Sequence, residues 1–186
     1  MVKKIQKKKS LVLREKLKMV AWFLIKFNLL AIPLYLILYF GFYYSPLQSF
    51  LTTISRPVIE LFGYETTLVD QDFCNVQAIS GPMFEKPICI SWDSTGWKSM
   101  YALAALAIAT PFIAWKKKLK FLCIGIPLVF ALNYLRIVST IIIALKFGFQ
   151  YFDIVHTVLW REGLILVIVA IWYIWLRRIK YNIQLK

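Results

Sequence analysis

The sequence predicts an all-α membrane protein: a four-transmembrane-helix bundle with a partly structured outer loop. Three observations carry this. Sixty per cent of the 186 residues are hydrophobic and the mean hydropathy is +0.67, too apolar for an ordinary soluble domain. Four runs, 19–44, 99–115, 121–145 and 158–176, approach the roughly 20 residues that cross a hydrocarbon core of about 30 Å. The charges, finally, are sharply segregated along the chain.

The first run follows the basic stretch MVKKIQKKKSLVLREKLK. That flank resembles a signal peptide, but the apolar run is far longer than the roughly 7–15 residues of a cleavable segment and no small-residue cleavage site follows. It is expected to stay as a helix. Lys26 falls within it, and either snorkels from inside the membrane edge or marks the true start of the span.

An outer loop of about 46–97 follows, longer than a helix connection needs and therefore expected to carry structure. Leu47, Phe50, Leu51, Ile54, Val58, Ile59 and Phe62 recur at helical spacing, with Pro57 expected to break or restart the helix and Gly63 to end it. This short helix reads either as lying in the outer interface or as a lid packed on the bundle. Beyond Gly63 the pattern suggests short strands, a candidate β-hairpin, with turns at 70–72 and at Gly81-Pro82. Cys74 and Cys89 both fall here, on the oxidising side, and form a disulfide candidate. Cys123 reads as a small core residue. No CxxC or His-Cys cluster supports a metal site, no cofactor is expected, and without repeats or low-complexity linkers the chain reads as one domain, 1–186.

A formal net charge of +14 would suggest nucleic acid in a soluble protein, but the placement of the charges argues otherwise. The N-terminal tail, KKKLK at 116–120 and RRIKYNIQLK at the end are basic, while eight of the nine acids lie within 46–93 or at Asp153 and Glu162. Basic loops stay cytoplasmic, which puts both termini and a 116–120 loop inside. Four spans satisfy that without conflict. The basic clusters are then topology signals that can also touch anionic lipid, and no nucleic-acid partner is expected.

Polar residues at membrane depth are costly, about 2.5–3.5 kcal/mol for a central charge on insertion scales, so they mark candidate sites. Arg136 lies about 22 Å along the third span at 1.5 Å per residue, near its outer end, with Asn133 and Ser139 or Thr140 on its face. The second span begins after WDSTGWKS, which places Asp93, Ser94 and Thr95 at the same level. His156, the single histidine, stands at the outer entrance of the fourth span. Each has a structural alternative: Ser94 or Asp93 as a helix cap, Arg136 snorkelling to phosphates, His156 as a hydrogen-bonded structural residue. Together, a hydroxyl, a guanidinium and an imidazole supply the parts of an acyl-transfer site.

STGWKSM opening one helix, NYLRIV within the next and a His entering the last resemble the archaeosortase/exosortase family of membrane cysteine transpeptidases. The resemblance covers residue 92 onward and implies a membrane helix bundle. It also implies an enzyme that cleaves C-terminal sorting signals of exported proteins, each a short motif, a transmembrane helix and a basic tail. The acyl group then passes through a thioester to a lipid or envelope acceptor. By position it makes Ser94, Arg136 and His156 the catalytic residues, with Asp93, Trp97 and Asn133 as candidate substrate contacts at the extracytoplasmic face. Many relatives have more spans, so this would be a compact version.

The departure is the nucleophile. The family reads Cys-Thr-Gly or Cys-Ser-Gly where this chain has Ser94-Thr95-Gly96. Either Ser94 is an inactivating Cys-to-Ser replacement, or the chain naturally uses serine or has lost catalysis; a hydroxyl needs strong general-base help that a thiolate does not. Asp93, Asp153 and Glu162 are the acids that could orient His156. Cys89 lacks the following Thr-Gly and is committed to the disulfide candidate. Two other classes stay open: a non-enzymatic membrane scaffold using the outer loop, and an intramembrane serine protease with a Ser94-His156 dyad.

Overall fold

The structure, a computed structural model, describes residues 2–72, 74–151 and 162–184, with side chains from residue 13 to residue 179 within those ranges apart from Glu162. His156 and Asp153, and with them the start of the expected fourth span, lie outside the described residues. Among the described residues five α-helices follow in order: α1 Val2–Tyr39, α2 Ser45–Leu61, α3 Trp97–Ala109, α4 Trp115–Phe147 and α5 Glu162–Gln184. Between α2 and α3 come strands β1 Thr67–Val69 and β2 Ala78–Ser80, then a 3-10 turn at Trp92–Thr95.

Several boundaries differ from the sequence reading, each for a local reason. The first helix stops at Tyr39 rather than reaching residue 44, because Gly41 adopts φ +64, a left-handed conformation that glycine accepts without a Cβ penalty. Helix α3 covers 97–109, not 99–115, since Pro111 and the positive-φ Phe112 follow its end. KKKLK is therefore not a loop: it forms the first turns of α4, and 110–114 makes the connection. Lys118 is buried there and donates to the Ile108 carbonyl at 2.6 Å, satisfying a carbonyl that the end of α3 leaves open.

By length and apolarity, Leu13–Tyr39 and Trp115–Phe147 are each able to cross a bilayer. Helix α3 is apolar but only about 20 Å long at 1.5 Å per residue. Helix α1 packs on α3, where the Tyr101 hydroxyl donates to the Leu30 carbonyl at 2.6 Å, and reaches α5 through stacked Phe23 and Trp172. Its other side exposes Leu17, Trp22, Ile25, Leu29 and Leu36, a surface suited to lipid tails. Lys26 lies with its ammonium 5.4 Å from the Trp22 ring centroid, a cation–π contact.

Two apolar clusters divide the molecule by level. Leu103, Val129, Leu164 and Ile168 join α3, α4 and α5. Gly125 allows that approach: a Cβ there would lie 2.9 Å from Leu103 Cδ2. At the other end, Leu51, Ile59, Ile79, Ile88, Ile90, Ile137 and Ile141 join α2, the hairpin and the last turns of α4. The strands pair antiparallel with Leu68 opposite Ile79, and Ile79 also bridges to Ile88.

Helix α2 buries Leu51, Thr52, Ser55 and Ile59, so of its two sequence readings the packed lid describes this face. Pro57 does not break it. The ring removes one N–H and crowds the preceding turn, and the Tyr134 hydroxyl of α4 donates to the nearby Ile54 carbonyl at 2.9 Å. Tyr134→Phe should therefore lower stability by about 1 kcal/mol, read as a reduced Tm in detergent; an unchanged Tm would deny that bond its role.

Cys74 and Cys89 are disulfide-paired, with Cα atoms 6.0 Å apart and a sequence separation of 15. A loop of that length stabilises by about 3 kcal/mol in the chain-entropy account. The Cys74→Ser/Cys89→Ser chain should lose stability on that order, concentrated in the outer cluster. Equal hydrogen exchange across 64–90 with and without the bond would contradict this.

Candidate functional site

The site lies where the two clusters meet, and the chain builds it from one tight turn and one helix face. Ser91 is extended and caps the 3-10 turn, its hydroxyl accepting from the Ser94 amide at 3.3 Å. Ser91 caps the turn only: α3 itself begins after Gly96 with no side-chain cap bond, so neither Asp93 nor Ser94 caps the helix as the sequence suggested. The Ser91 and Ser94 hydroxyls are themselves 2.9 Å apart. Thr95 is fully buried and donates to the Trp92 carbonyl at 2.8 Å, which closes the turn from inside.

Gly96 then reverses the chain at φ +82 and launches α3. Its missing side chain matters twice, because a Cβ would sit 2.6 Å from Asn133 Cγ as well as straining the backbone. Glycine lets α4 press directly on the turn. Asn133 uses that proximity: Nδ2 donates to the Ser94 carbonyl at 3.0 Å, while Oδ1 accepts from Arg136 Nη1 at 3.1 Å. One side chain on α4 holds both the turn and the guanidinium.

Arg136 is 7% exposed and Asn133 0%, so Asn133, a candidate substrate contact in the sequence, is enclosed here with its amide spent on Ser94 and Arg136. Ser139 and Thr140, which share the polar face, donate to the Arg136 carbonyl at 3.0 and 2.8 Å, a back-bonding pattern that loosens and bends a helix locally. Asp93 pairs with Lys98 at 2.8 Å. Trp97 stacks on Trp92, ring centroids 5.2 Å apart, so the two tryptophans of WDSTGW clamp the turn between them. His156 belongs to the undescribed segment, and its distance from Ser94 is not part of this geometry.

Two cavities open here. A small one of about 40 Å³ is lined by Cys89, Ser94, Arg136 and Thr140 among others. A larger cleft of about 710 Å³ is lined by Ser91, Asp93, Ser94, Lys98 and Arg136, with Leu164, Ile165 and Ile168 of α5 as an apolar wall. Among the described residues, Ser94 and Arg136 are the two that border both. A hydroxyl and a cation therefore face one space that is polar on one side and apolar on the other. Among the described residues no group of His, Cys, Asp or Glu is arranged to hold a metal ion.

Residues 11–176 match the transmembrane exosortase family, a stretch that includes every predicted span. The chain belongs to the transmembrane exosortase family. Neither a curated protein nor a solved structure matches it. Family membership makes it a membrane protein of a transpeptidase-like family, and the Ser94-Thr95-Gly96 turn and Arg136 both lie inside the matched stretch. What sequence reasoning missed in this exosortase-family chain is the support: Ser91 as cap, Asn133 as bridge and Gly96 as the point of close approach. The signals were a Ser three residues before Ser94, which fits a cap, and a glycine between a turn and a helix.

Proposed function

We propose that this exosortase-family chain is a sorting transpeptidase or peptidase acting on exported proteins. Its substrate would carry a C-terminal motif, a transmembrane helix and a basic tail. Four spans would place both termini in the cytoplasm and the site at the extracytoplasmic face of the cell membrane. The charge segregation supports that orientation.

The observation that carries the reading is that Ser94 and Arg136, brought together by Asn133, border the same two cavities. Residue 94 would attack the scissile carbonyl and hold the acyl group. Arg136 would stabilise the oxyanion, a role worth about 10²–10³ in rate when one such donor is removed. His156 would protonate the leaving amine and then activate the acceptor, an envelope or lipid nucleophile. The apolar wall of α5 suits the substrate's own helix.

Serine at position 94 is proposed to be an inactivating change from the family cysteine. A hydroxyl is poorly ionised, the Ser94 hydroxyl is engaged with Ser91, and Asp93 is committed to Lys98. The test is C-terminal processing of a co-expressed cognate protein in the Ser94→Cys background, with Arg136→Ala and His156→Ala added singly. Loss of processing in both is expected; normal processing in both would sink the site assignment.

A further inference from the structure

The groove between α4 and α5 at the basic end of the molecule, remote from the site, has the makings of a ligand site. It encloses about 330 Å³ and runs along Phe121, Ile124 and Leu128 of α4 and Ile174 and Trp175 of α5, with Lys117, Lys120 and Arg178 among its lining residues. Such a volume falls in the range of sites for small amphiphiles. The Phe121 and Trp175 rings join the two helices there, stacked with centroids 4.3 Å apart.

The charge is the second observation. Lys117 and Lys120 lie in the first turns of α4, whose opening turn contains no acidic residue, although the N-terminal end of a helix already carries positive partial charge. Among the described residues neither of them, nor Arg178, makes an ion pair. Lys118, between the two lysines, is engaged separately with Ile108. The sequence therefore concentrates cations where the helix field opposes them, beside a hydrocarbon-lined trough.

We propose that this groove binds an anionic membrane phospholipid of the leaflet at the basic end, its phosphate on Lys117, Lys120 and Arg178 and an acyl chain along Ile124 and Ile174. The inference uses the membrane setting alone and is independent of the chemistry at Ser94. Juxtamembrane cations strengthen attraction to anionic lipid, and basic pockets between membrane helices hold acidic head groups. The trough adds what a bare basic patch lacks, a slot for the chain.

The full chain in neutral detergent would be titrated with phosphatidylglycerol or phosphatidylcholine of matched chains and read by native mass spectrometry. Phosphatidylglycerol should bind at least about tenfold more tightly. Lys117→Gln/Lys120→Gln/Arg178→Gln should abolish that preference, and Arg14→Gln/Lys16→Gln/Lys18→Gln, which removes the same number of charges elsewhere, should retain it. Ile124→Trp/Ile174→Trp, with every cation kept, should weaken both lipids. No preference in the wild-type chain, or equal loss in the two charge variants, would overturn the proposal. So would release of phosphatidylglycerol by inorganic phosphate with the tryptophan variant unaffected, which would mark a phosphate site instead.

Discussion

Ser94→Cys should turn a silent chain into a processing one, releasing the C-terminal tail of a cognate exported protein at a rate at least about a hundredfold above that of the serine form. The expected gain follows from ionisation: a free thiol has a pKa near 8.5, lowered beside cations and at helix starts, whereas a serine hydroxyl depends on a general base for every turnover. Ser94 stands just before α3, in a cavity shared with the buried Arg136, and that setting favours a thiolate far more than it helps a hydroxyl. The sulfur atom also need not keep the 2.9 Å contact that ties the oxygen to Ser91. The assay is tail loss by immunoblot in membranes. Equal processing by the unsubstituted chain, Ser94→Cys and Ser94→Ala would show that the chemistry lies elsewhere.

Gly96→Ala is expected to disrupt the site strongly for so small a substitution. A left-handed residue other than glycine costs about 1–2 kcal/mol, and here the new methyl also meets Asn133 Cγ at 2.6 Å. The turn can relieve that contact only by displacing Asn133, which releases the Ser94 carbonyl and the Arg136 guanidinium together. Taking a hydrogen-bond partner from a buried guanidinium is far more costly than losing a surface pair. In the Ser94→Cys background, processing should therefore fall at least tenfold, the equivalent of about 1.4 kcal/mol, and Tm should drop. Gly163→Ala is the control, because nothing lies within 4 Å of its added Cβ. Matching behaviour of the two variants would remove Gly96 from the site's support.

Much of this was legible from residue types. Apolar run lengths marked where α1, α3 and α4 lie, though not where each stops. The polar residues Ser94 and Arg136, far apart in the chain, could be brought to one level because helix rise fixes depth. A helix over 47–62 was readable from spacing and the Cys74–Cys89 pairing was a candidate, but which way that helix packs was left open until its buried face was seen.

The errors arose where packing overrode pattern. KKKLK looks like a loop because five positions contain four lysines, yet its helix continues since Pro111 and Phe112 have already made the turn and Lys118 finds a carbonyl. Pro57 looks like a break, yet α2 passes through it with Tyr134 bonding a nearby carbonyl. The burial of Asn133 was also out of reach, because period alone shows which face a residue shares and not what covers it. That it is enclosed follows from Gly96, on a distant turn, a closeness no local signal carries.

Residue 94, seated by Asn133 beside Arg136, is the group proposed to carry the acyl chain of the substrate. The decisive measurement is to incubate the purified Ser94→Cys chain with a peptide bearing the cognate motif and to map the adduct by mass spectrometry. An acyl mass on the cysteine introduced at position 94 is expected, removed by hydroxylamine and prevented by Arg136→Ala. An adduct on Cys89 or Cys123, or turnover with residue 94 never modified, would contradict it.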